Sequence, residues 1–223
     1  PRILNNLGMA YKEINQTDNA RRAFEADLAS DPEWLSALNN LGILELDKGD
    51  FKAALVFFEK AIAIEPGYYD AHYNRGLALM ETGRIVAAIR AFGKALEFNP
   101  YYEKAHNNLG AALMRQVNID QAFAHFQQAL KIDPYYSKAY SNMGIAFFKK
   151  GRTDKAMEWL NKALDLDPFH LEAYNNMKRI KSQTKKYRDT IIGLKKRLAR
   201  DPDDPRLCFR LAQTYDRAGM TRL

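Results

Sequence analysis

The stretch SALNNLG (Ser36–Gly42) places two asparagines directly before a Leu-Gly pair. Closely similar motifs recur: ILNNLG (Ile3–Gly8), KAHNNLG (Lys104–Gly110) and, with the glycine replaced, EAYNNMK (Glu172–Lys178). The copies lie at multiples of 34 residues from one another. A motif that returns at a fixed spacing of this size is typical of a chain built from stacked repeats.

Other residue types follow the same 34-residue period, and no insertion breaks the register. A proline, a glycine, an alanine and an aromatic residue each recur once per repeat, the aromatic giving way to leucine near the C-terminus. They are Pro32, Pro66, Pro100, Pro134, Pro168 and Pro202; Gly8, Gly42, Gly76, Gly110 and Gly144; Ala20, Ala54, Ala88, Ala122 and Ala156; and Phe24, Phe58, Phe92, Phe126, Leu160 and Leu194.

Each repeat has the pattern of two helices. In the third, YDAHYNRGLALMETG (Tyr69–Gly83) is a helix that ends at a glycine. RIVAAIRAFGKALEFNP (Arg84–Pro100) then has apolar residues at helical spacing and stops at a proline. We expect the small residues where the two helices approach closely, with the aromatic filling the remaining space. One hairpin cannot bury its apolar face alone, so the repeats must stack.

These residues resemble the tetratricopeptide repeat family, because the period, the Leu-Gly pair, the alanine, the aromatic and the proline recur in the family's order. The motif PYYEKAHNNLG (Pro100–Gly110) most resembles the repeats of superhelical arrays such as those of O-linked N-acetylglucosamine transferase and of bacterial scaffold proteins. The resemblance implies an all-α fold: a right-handed α-solenoid (superhelix) of stacked antiparallel helix pairs, whose first helices line a concave groove.

The whole chain, 1–223, is predicted to form a single array. Its repeats are 1–34, 35–68, 69–102, 103–136, 137–170, a degenerate and basic 171–204, and a partial repeat from 205 to 223. In the sixth repeat Lys178, Thr190 and Arg197 replace small residues, so its two helices are expected further apart or at an altered angle. The partial last repeat leads us to expect a fragment of a longer chain.

One side of each first helix is free to bind a partner. We number positions within a repeat from residues 1, 35, 69, 103, 137 and 171. Helical geometry places positions 4, 7, 8 and 11 on the packing face and positions 2, 5, 6, 9, 12 and 13 on the opposite side. The predicted peptide-binding groove therefore contains Asn6, Asn40, Asn74, Asn108, Asn142 and Asn176 at position 6; Asn39 and Asn107 at position 5; the apolar strip Leu77, Met80, Met114, Ile145 and Phe148; and the basic Lys104, Arg115, Lys138 and Lys149.

The asparagine row has two interpretations. An amide offers an acceptor and two donors, so a row of them matches the backbone of an extended peptide. Alternatively, position 6 pairs with a neighbouring repeat and serves the fold. Members of the family that bind the C-terminal carboxylate of chaperones use lysine at position 5 and asparagine at position 9. This chain lacks that combination in its complete repeats, so chaperone binding of this kind is not expected.

The charge of the chain is polarised. Residues 1–102 hold 11 Lys and Arg against 14 Asp and Glu, whereas residues 103–223 hold 23 against 13. The charges of positions 2 and 13 change sign in the same direction, so a bound segment is expected to point its acidic end towards the C-terminal repeats. The basic stretch Lys178–Arg200 could contact RNA or anionic lipid, but a solvated face of a degenerate repeat is the more common explanation.

No catalytic or metal-binding motif occurs. His72 and His106 share position 4 with core residues, and the single cysteine, Cys208, occupies the same position, so we expect a buried inert thiol. The aromatics after each proline are expected to staple one repeat onto the next. We predict no enzyme activity, no metal and no cofactor.

The leading interpretation is a non-catalytic protein–protein interaction scaffold that binds an extended peptide or a partner helix in its groove. The alternative is the substrate-recognition array of a larger enzyme, such as a glycosyltransferase. The expected partner is a protein or peptide, with self-association through exposed end faces as a further expectation. Nucleic acid is not expected, and membrane contact only through regions outside this sequence. The expected location is cytoplasmic, with a periplasmic or membrane-anchored form as the alternative.

Overall fold

The computed structural model describes residues 2–218, so the end of the predicted partial repeat, residues 219–223, lies outside the described part. All regular structure in that range is helical, which confirms the all-α fold of helix pairs packed in order along the chain. The helices are α1 (Arg2–Glu13), α2 (Thr17–Ser30), α3 (Leu35–Lys48), α4 (Phe51–Ile64), α5 (Tyr69–Glu81), α6 (Ile85–Phe98), α7 (Glu103–Arg115), α8 (Ile119–Ile132), α9 (Ser137–Lys149), α10 (Thr153–Leu166), α11 (Leu171–Leu198) and α12 (Pro205–Ala218).

The chain divides into two compact units, an N-terminal unit of residues 1–118 and a C-terminal unit of residues 119–223. In the N-terminal unit the first helices α1, α3 and α5 each pack on their own second helix, which in turn packs on the next first helix. The first helices α1, α3, α5 and α7 also contact one another in succession. Among the described residues, the second helices α2, α4 and α6 make no such contacts. The first helices of this unit therefore lie closer to one another than its second helices do.

In the C-terminal unit the helices pack in chain order, from α8 on α9 to α11 on α12. Its core is a cluster around the fully buried Leu160, with Met177 and Ile180 of α11 on one side. Phe148 and Ile145 of α9 pack against the same cluster and are only half-buried. The core of this unit therefore depends on side chains from α9, α10 and the first half of α11.

The recurring glycine and aromatic residue meet inside each of the first three helix pairs, as predicted. A Cβ atom on Gly76 would lie 2.5 Å from the ring of Phe92, and one on Gly8 would lie 2.5 Å from the ring of Phe24. Both rings are fully buried. In the fifth repeat, where leucine replaces the aromatic, the added atom would lie 2.8 Å from Leu160 Cγ. The glycine is required because the ring occupies the space of its side chain.

The turn inside each pair uses a left-handed backbone at position 15. Three repeats place glycine there, with φ of 82° at Gly49, 73° at Gly83 and 74° at Gly151. The predicted end of the third repeat's first helix at Gly83 is thus confirmed. The other two turns use Asn15, with φ of 59°, and Val117, with φ of 64°. A β-branched residue is strained in this region, so Val117 holds the least favourable of the five turns.

The sixth repeat contains one helix rather than two, and the expectation of two separated helices is wrong. α11 runs without a break for 28 residues. Position 15 of this repeat is Lys185, a good helix former, where three other repeats have glycine. Lys178, Thr190 and Arg197 also remove the small residues that allow two helices to approach. Without a turn residue or a close-packed seam, the helix continues.

The expectation of a buried cysteine is also wrong, because Cys208 is exposed. The buried residues of α12 are instead Leu207 and Ala218. Within residues 2–218, no helix is both long enough and apolar enough to cross a membrane.

Candidate functional site

The asparagines of the N-terminal unit form a ladder between successive first helices. The Nδ2 atom of Asn40 donates to Oδ1 of Asn5, and Nδ2 of Asn74 donates to Oδ1 of Asn39, each at 2.9 Å. The next rung runs from Nδ2 of Asn108 to the hydroxyl oxygen of Tyr73, also at 2.9 Å.

In each of these rungs position 6 of one repeat donates to position 5 of the repeat before it. Such side-chain hydrogen bonds between partly buried groups stabilise the association of the helices that carry them. The ladder supports the structural interpretation of the row in this unit.

Burial divides the predicted asparagines into two groups. Asn39, Asn74 and Asn107 are 7%, 8% and 3% exposed, so they contribute to the packing of the helices. The remainder are accessible: Asn6 is exposed, and Asn40, Asn108, Asn142 and Asn176 are half-buried.

Asn40 and Asn108 are rung donors that also reach the surface. Each rung uses one of the two N–H groups of its asparagine. Among the described residues, the second N–H and the carbonyl oxygen of these two side chains have no other hydrogen-bond partner. These two amides therefore keep one donor and one acceptor unused within the described part of the protein.

The ladder differs in the C-terminal unit. Position 5 of the fifth repeat is Ser141, which is 2% exposed and whose Oγ atom has no hydrogen-bond partner among the described residues. Asn176 accepts instead from Arg179 within its own helix, with Nη2 3.3 Å from Oδ1. α9 and α11 are therefore not joined by the asparagine contact seen in the N-terminal unit.

The predicted apolar strip is only partly at the surface. Leu77, Ile145 and Phe148 are half-buried, but Met80 and Met114 are 9% and 7% exposed. The expectation that these two methionines present apolar surface is wrong, because both occupy position 12 and are buried in the packing of the first helices. Leu77 is the predicted strip residue of the N-terminal unit that remains accessible.

The predicted basic residues Lys104, Arg115, Lys138 and Lys149 are all exposed. Arg115 also donates from Nη1 to the backbone oxygen of Met80, at 3.2 Å, and so links α7 to α5. Towards the N-terminus the same side carries acidic groups, and Asp47 pairs with Lys12 across α3 and α1 at 3.2 Å.

A tyrosine cluster lies at the start of α5 and α7. The ring of Tyr102 contacts those of Tyr69 and Tyr73, with centroids 5.6 Å and 4.9 Å apart. Its hydroxyl donates to the carboxylate of Asp70. Burial raises the pKa of Asp70 and that of Tyr102, and it raises the pKa of Tyr73 to about 12. This aromatic joins successive first helices, as expected of the residues that follow the prolines.

The histidines at position 4 also serve the fold. Nε2 of His72 lies 2.8 Å from the carbonyl oxygen of Pro66, and Nε2 of His106 lies 3.1 Å from that of Pro100. Tyr140 occupies the same position and donates its hydroxyl to the carbonyl of Pro134, at 3.2 Å. Burial lowers the pKa of His106. Among the described residues, no three His, Cys, Asp or Glu side chains are grouped as metal ligands.

The sequence left the asparagine row with two interpretations and did not show the hydrogen-bonded ladder. The repeating asparagines identified the residues, whereas the partner at position 5 varies between asparagine and tyrosine. The signal that could have revealed it is the joint recurrence of polar residues at positions 5 and 6.

Three models of one family, described as tetratricopeptide repeat, match residues 5–69, 45–100 and 101–168. No curated protein matches the chain. Among solved structures, MamA is 27% identical, with a TM-score of 0.62 over 73% of this chain and 95% of its own.

YrrB, described as a TPR protein with an unusual peptide-binding site, is 26% identical, with a TM-score of 0.60 over 78% of this chain and 90% of its own. TTC0263 of Thermus thermophilus, a thermophilic TPR protein, is 23% identical with a TM-score of 0.69, over 80% and 97% of the two chains, and shows the same fold. Together with the recurring residues and the stacked helix pairs, these matches show that the chain belongs to the tetratricopeptide repeat family.

Proposed function

We propose that the protein is a non-catalytic protein-interaction scaffold that binds an extended peptide segment along the first helices α3, α5 and α7. Membership of the tetratricopeptide repeat family supports a protein partner in general. The similarity to YrrB, whose description names a peptide-binding site, supports a peptide ligand.

The observation that carries the proposal is the pair of accessible amides of Asn40 and Asn108. Each is held in place by its ladder rung, yet keeps one N–H and its carbonyl oxygen for a ligand. A peptide backbone offers a C=O and an N–H at each residue, so one amide can bond to both. Because the rungs fix these side chains before binding, little conformational entropy is lost on association.

The spacing of the two amides sets the length of the segment. They lie two repeats apart, and packed helices have axes about 8–10 Å apart. The span is therefore about 20 Å, which an extended chain of about six residues covers. Between them, Asn74 is buried and supports the helices, while the accessible Leu77 offers an apolar contact.

Charge gives the segment a direction. Lys104 and Arg115 on α7 are exposed, whereas Glu81 at the end of α5 and Asp47 at the end of α3 are acidic and exposed. Complementary charges steer association and fix orientation. We therefore expect an acidic residue of the ligand near α7 and a basic one near α3.

A selection from a random peptide library on the full chain tests the proposal, followed by affinity measurements with the selected peptides. Replacing Asn40 and Asn108 together by alanine should weaken binding at least about tenfold, which corresponds to one or two lost hydrogen bonds per amide. The matched control is Asn74→Ala, which removes the buried rung and should lower stability by about 1–3 kcal/mol while leaving affinity unchanged.

Circular dichroism establishes that each variant is folded at the temperature of the binding assay. Equal loss of affinity in the control would show that the asparagines act only through the fold. Failure to select any peptide would refute the proposal outright.

A further inference from the structure

α11 carries the largest concentration of charge in the protein. Between Lys178 and Arg200 there are ten basic residues and one acidic residue, Asp189. Because α11 is one helix, nine of these basic residues lie along a single rod of 28 residues, about 42 Å long, and Arg200 follows just after its end. Two separate helices would have divided the charge between two directions.

All ten basic side chains are exposed, and the nine on α11 surround much of the helix. The buried residues in this part, Ile180, Ile191 and Leu194, share one face, and α12 packs on α11. At 100° per residue, the basic positions spread over an arc of about 200° on the remaining surface. The residues of this basic arc are Lys178, Arg179, Lys181, Lys185, Lys186, Arg188, Lys195, Lys196 and Arg197.

These charges are not neutralised within the part of the protein that the structure describes. None of the ten forms an ion pair with a described carboxylate; Lys195 instead lies over the ring of Tyr215 of α12, 5.7 Å from its centroid. Lys181, Lys185 and Arg188 follow one another at spacings of four and three, where like charges on a helix repel. The free helix is therefore destabilised by repulsion that a polyanion would relieve.

The shape of the basic arc selects among polyanions. A bilayer is flat, so its charged surface would contact only the centre of the arc. The structure describes all residues between Lys178 and Arg200, and Ile192, 46% exposed, is the only large apolar side chain exposed among them, so little apolar surface is available to insert into a bilayer. An extended acidic peptide follows one line along the helix. The major groove of duplex DNA is about 12 Å wide, admits an α-helix and presents phosphates on both sides of it.

We propose that α11 binds duplex DNA through its phosphates, as a second site that belongs to the C-terminal unit and uses none of the residues proposed to bind peptide. Lysine and arginine contacts to phosphate fix position but do not read bases, so binding is independent of base sequence. Nucleic acid was not expected from the sequence because the basic residues were assigned to a degenerate pair of helices. The structure instead has one continuous helix, which places the basic residues along a single rod.

Fluorescence anisotropy of the full chain with a labelled 20-base-pair duplex tests this proposal. If α11 contacts about six phosphates, affinity should fall about 10³-fold between 50 mM and 200 mM salt. Replacing Lys181, Lys185 and Arg188 by glutamine should reduce the slope of log K against log salt by about three. The matched control replaces Lys52, Lys60 and Arg90 of the N-terminal unit, which are also exposed, and should leave the slope unchanged.

Two comparisons decide the class of ligand. Vesicles containing anionic lipid and a polyglutamate peptide should bind more weakly than the duplex at equal salt, and equal or tighter binding of either would overturn the proposal. An unchanged salt slope in the α11 variant would also overturn it. The Asn40 and Asn108 variant should bind the duplex normally, so the failure of one proposed site is distinguishable from the failure of the other.

Discussion

Two glycine-to-alanine substitutions in adjacent helices should change stability in opposite directions. Gly76 in α5 faces the buried ring of Phe92, and an added Cβ would lie 2.5, 2.6 and 3.0 Å from three of its atoms. Carbon atoms in contact are normally about 3.5–4.0 Å apart, so the ring would have to move by about 1 Å. Gly93 in α6 has no atom within 4 Å of the same added group.

The expected magnitudes follow from these distances. Both substitutions gain about 1 kcal/mol of helix propensity. Overpacking a filled core costs about 1–3 kcal/mol, and three close contacts with the fully buried Phe92 place this cost near the upper end, at about 2–3 kcal/mol. After the gain in helix propensity, the Gly76→Ala protein should be about 1–2 kcal/mol less stable than the wild type. The Gly93→Ala protein should be about 0.5–1 kcal/mol more stable.

Urea unfolding followed by circular dichroism measures both changes on the same scale. Adding Phe92→Leu to Gly76→Ala imitates the fifth repeat, where Gly144 faces Leu160, and should recover part of the loss. If Gly76→Ala stabilised the protein as much as Gly93→Ala, the ring would not be what excludes a side chain at position 8, and the reasoning would be refuted.

Two further predictions concern single side chains. Val117→Gly should stabilise the protein by about 1 kcal/mol in urea unfolding, because it relieves a left-handed valine that is 78% exposed and loses little packing; a loss of stability would contradict the strain. Burial lowers the pKa of His106, so the folded state favours its neutral form and this contribution to stability is lost as pH falls below the ordinary histidine value. His106→Tyr, which imitates Tyr140, should therefore flatten the decline in unfolding free energy between about pH 7 and pH 5; an unchanged decline would contradict it.

The packing inside each helix pair could be predicted because it depends on residues close in sequence. The glycine, the aromatic and the turn at Gly83 belong to one hairpin, and their periodicity is a direct consequence of how two helices meet. Contacts between repeats were harder to predict. Positions 5, 6, 9 and 12 lie near the border between the packed and open sides of a first helix, where a small rotation decides whether Met80 or Asn74 is buried.

The continuity of α11 could not be predicted for a different reason. A helix ends where a turn residue and a packing partner together favour the break, and the sequence shows only the first of these. Lys185 at the turn position and Lys178 at the seam were both visible, but each could also belong to a loosened pair. The structure shows that their combined effect is to extend the helix.

The asparagine ladder also constrains how this chain can evolve. Each of the three rungs joins residues 35 apart, one repeat plus one position. Duplication or loss of a whole repeat preserves each rung, whereas a single inserted residue inside a first helix would turn its amide by about 100° away from its partner. The number of repeats is therefore free to change in evolution while the length of each repeat is not.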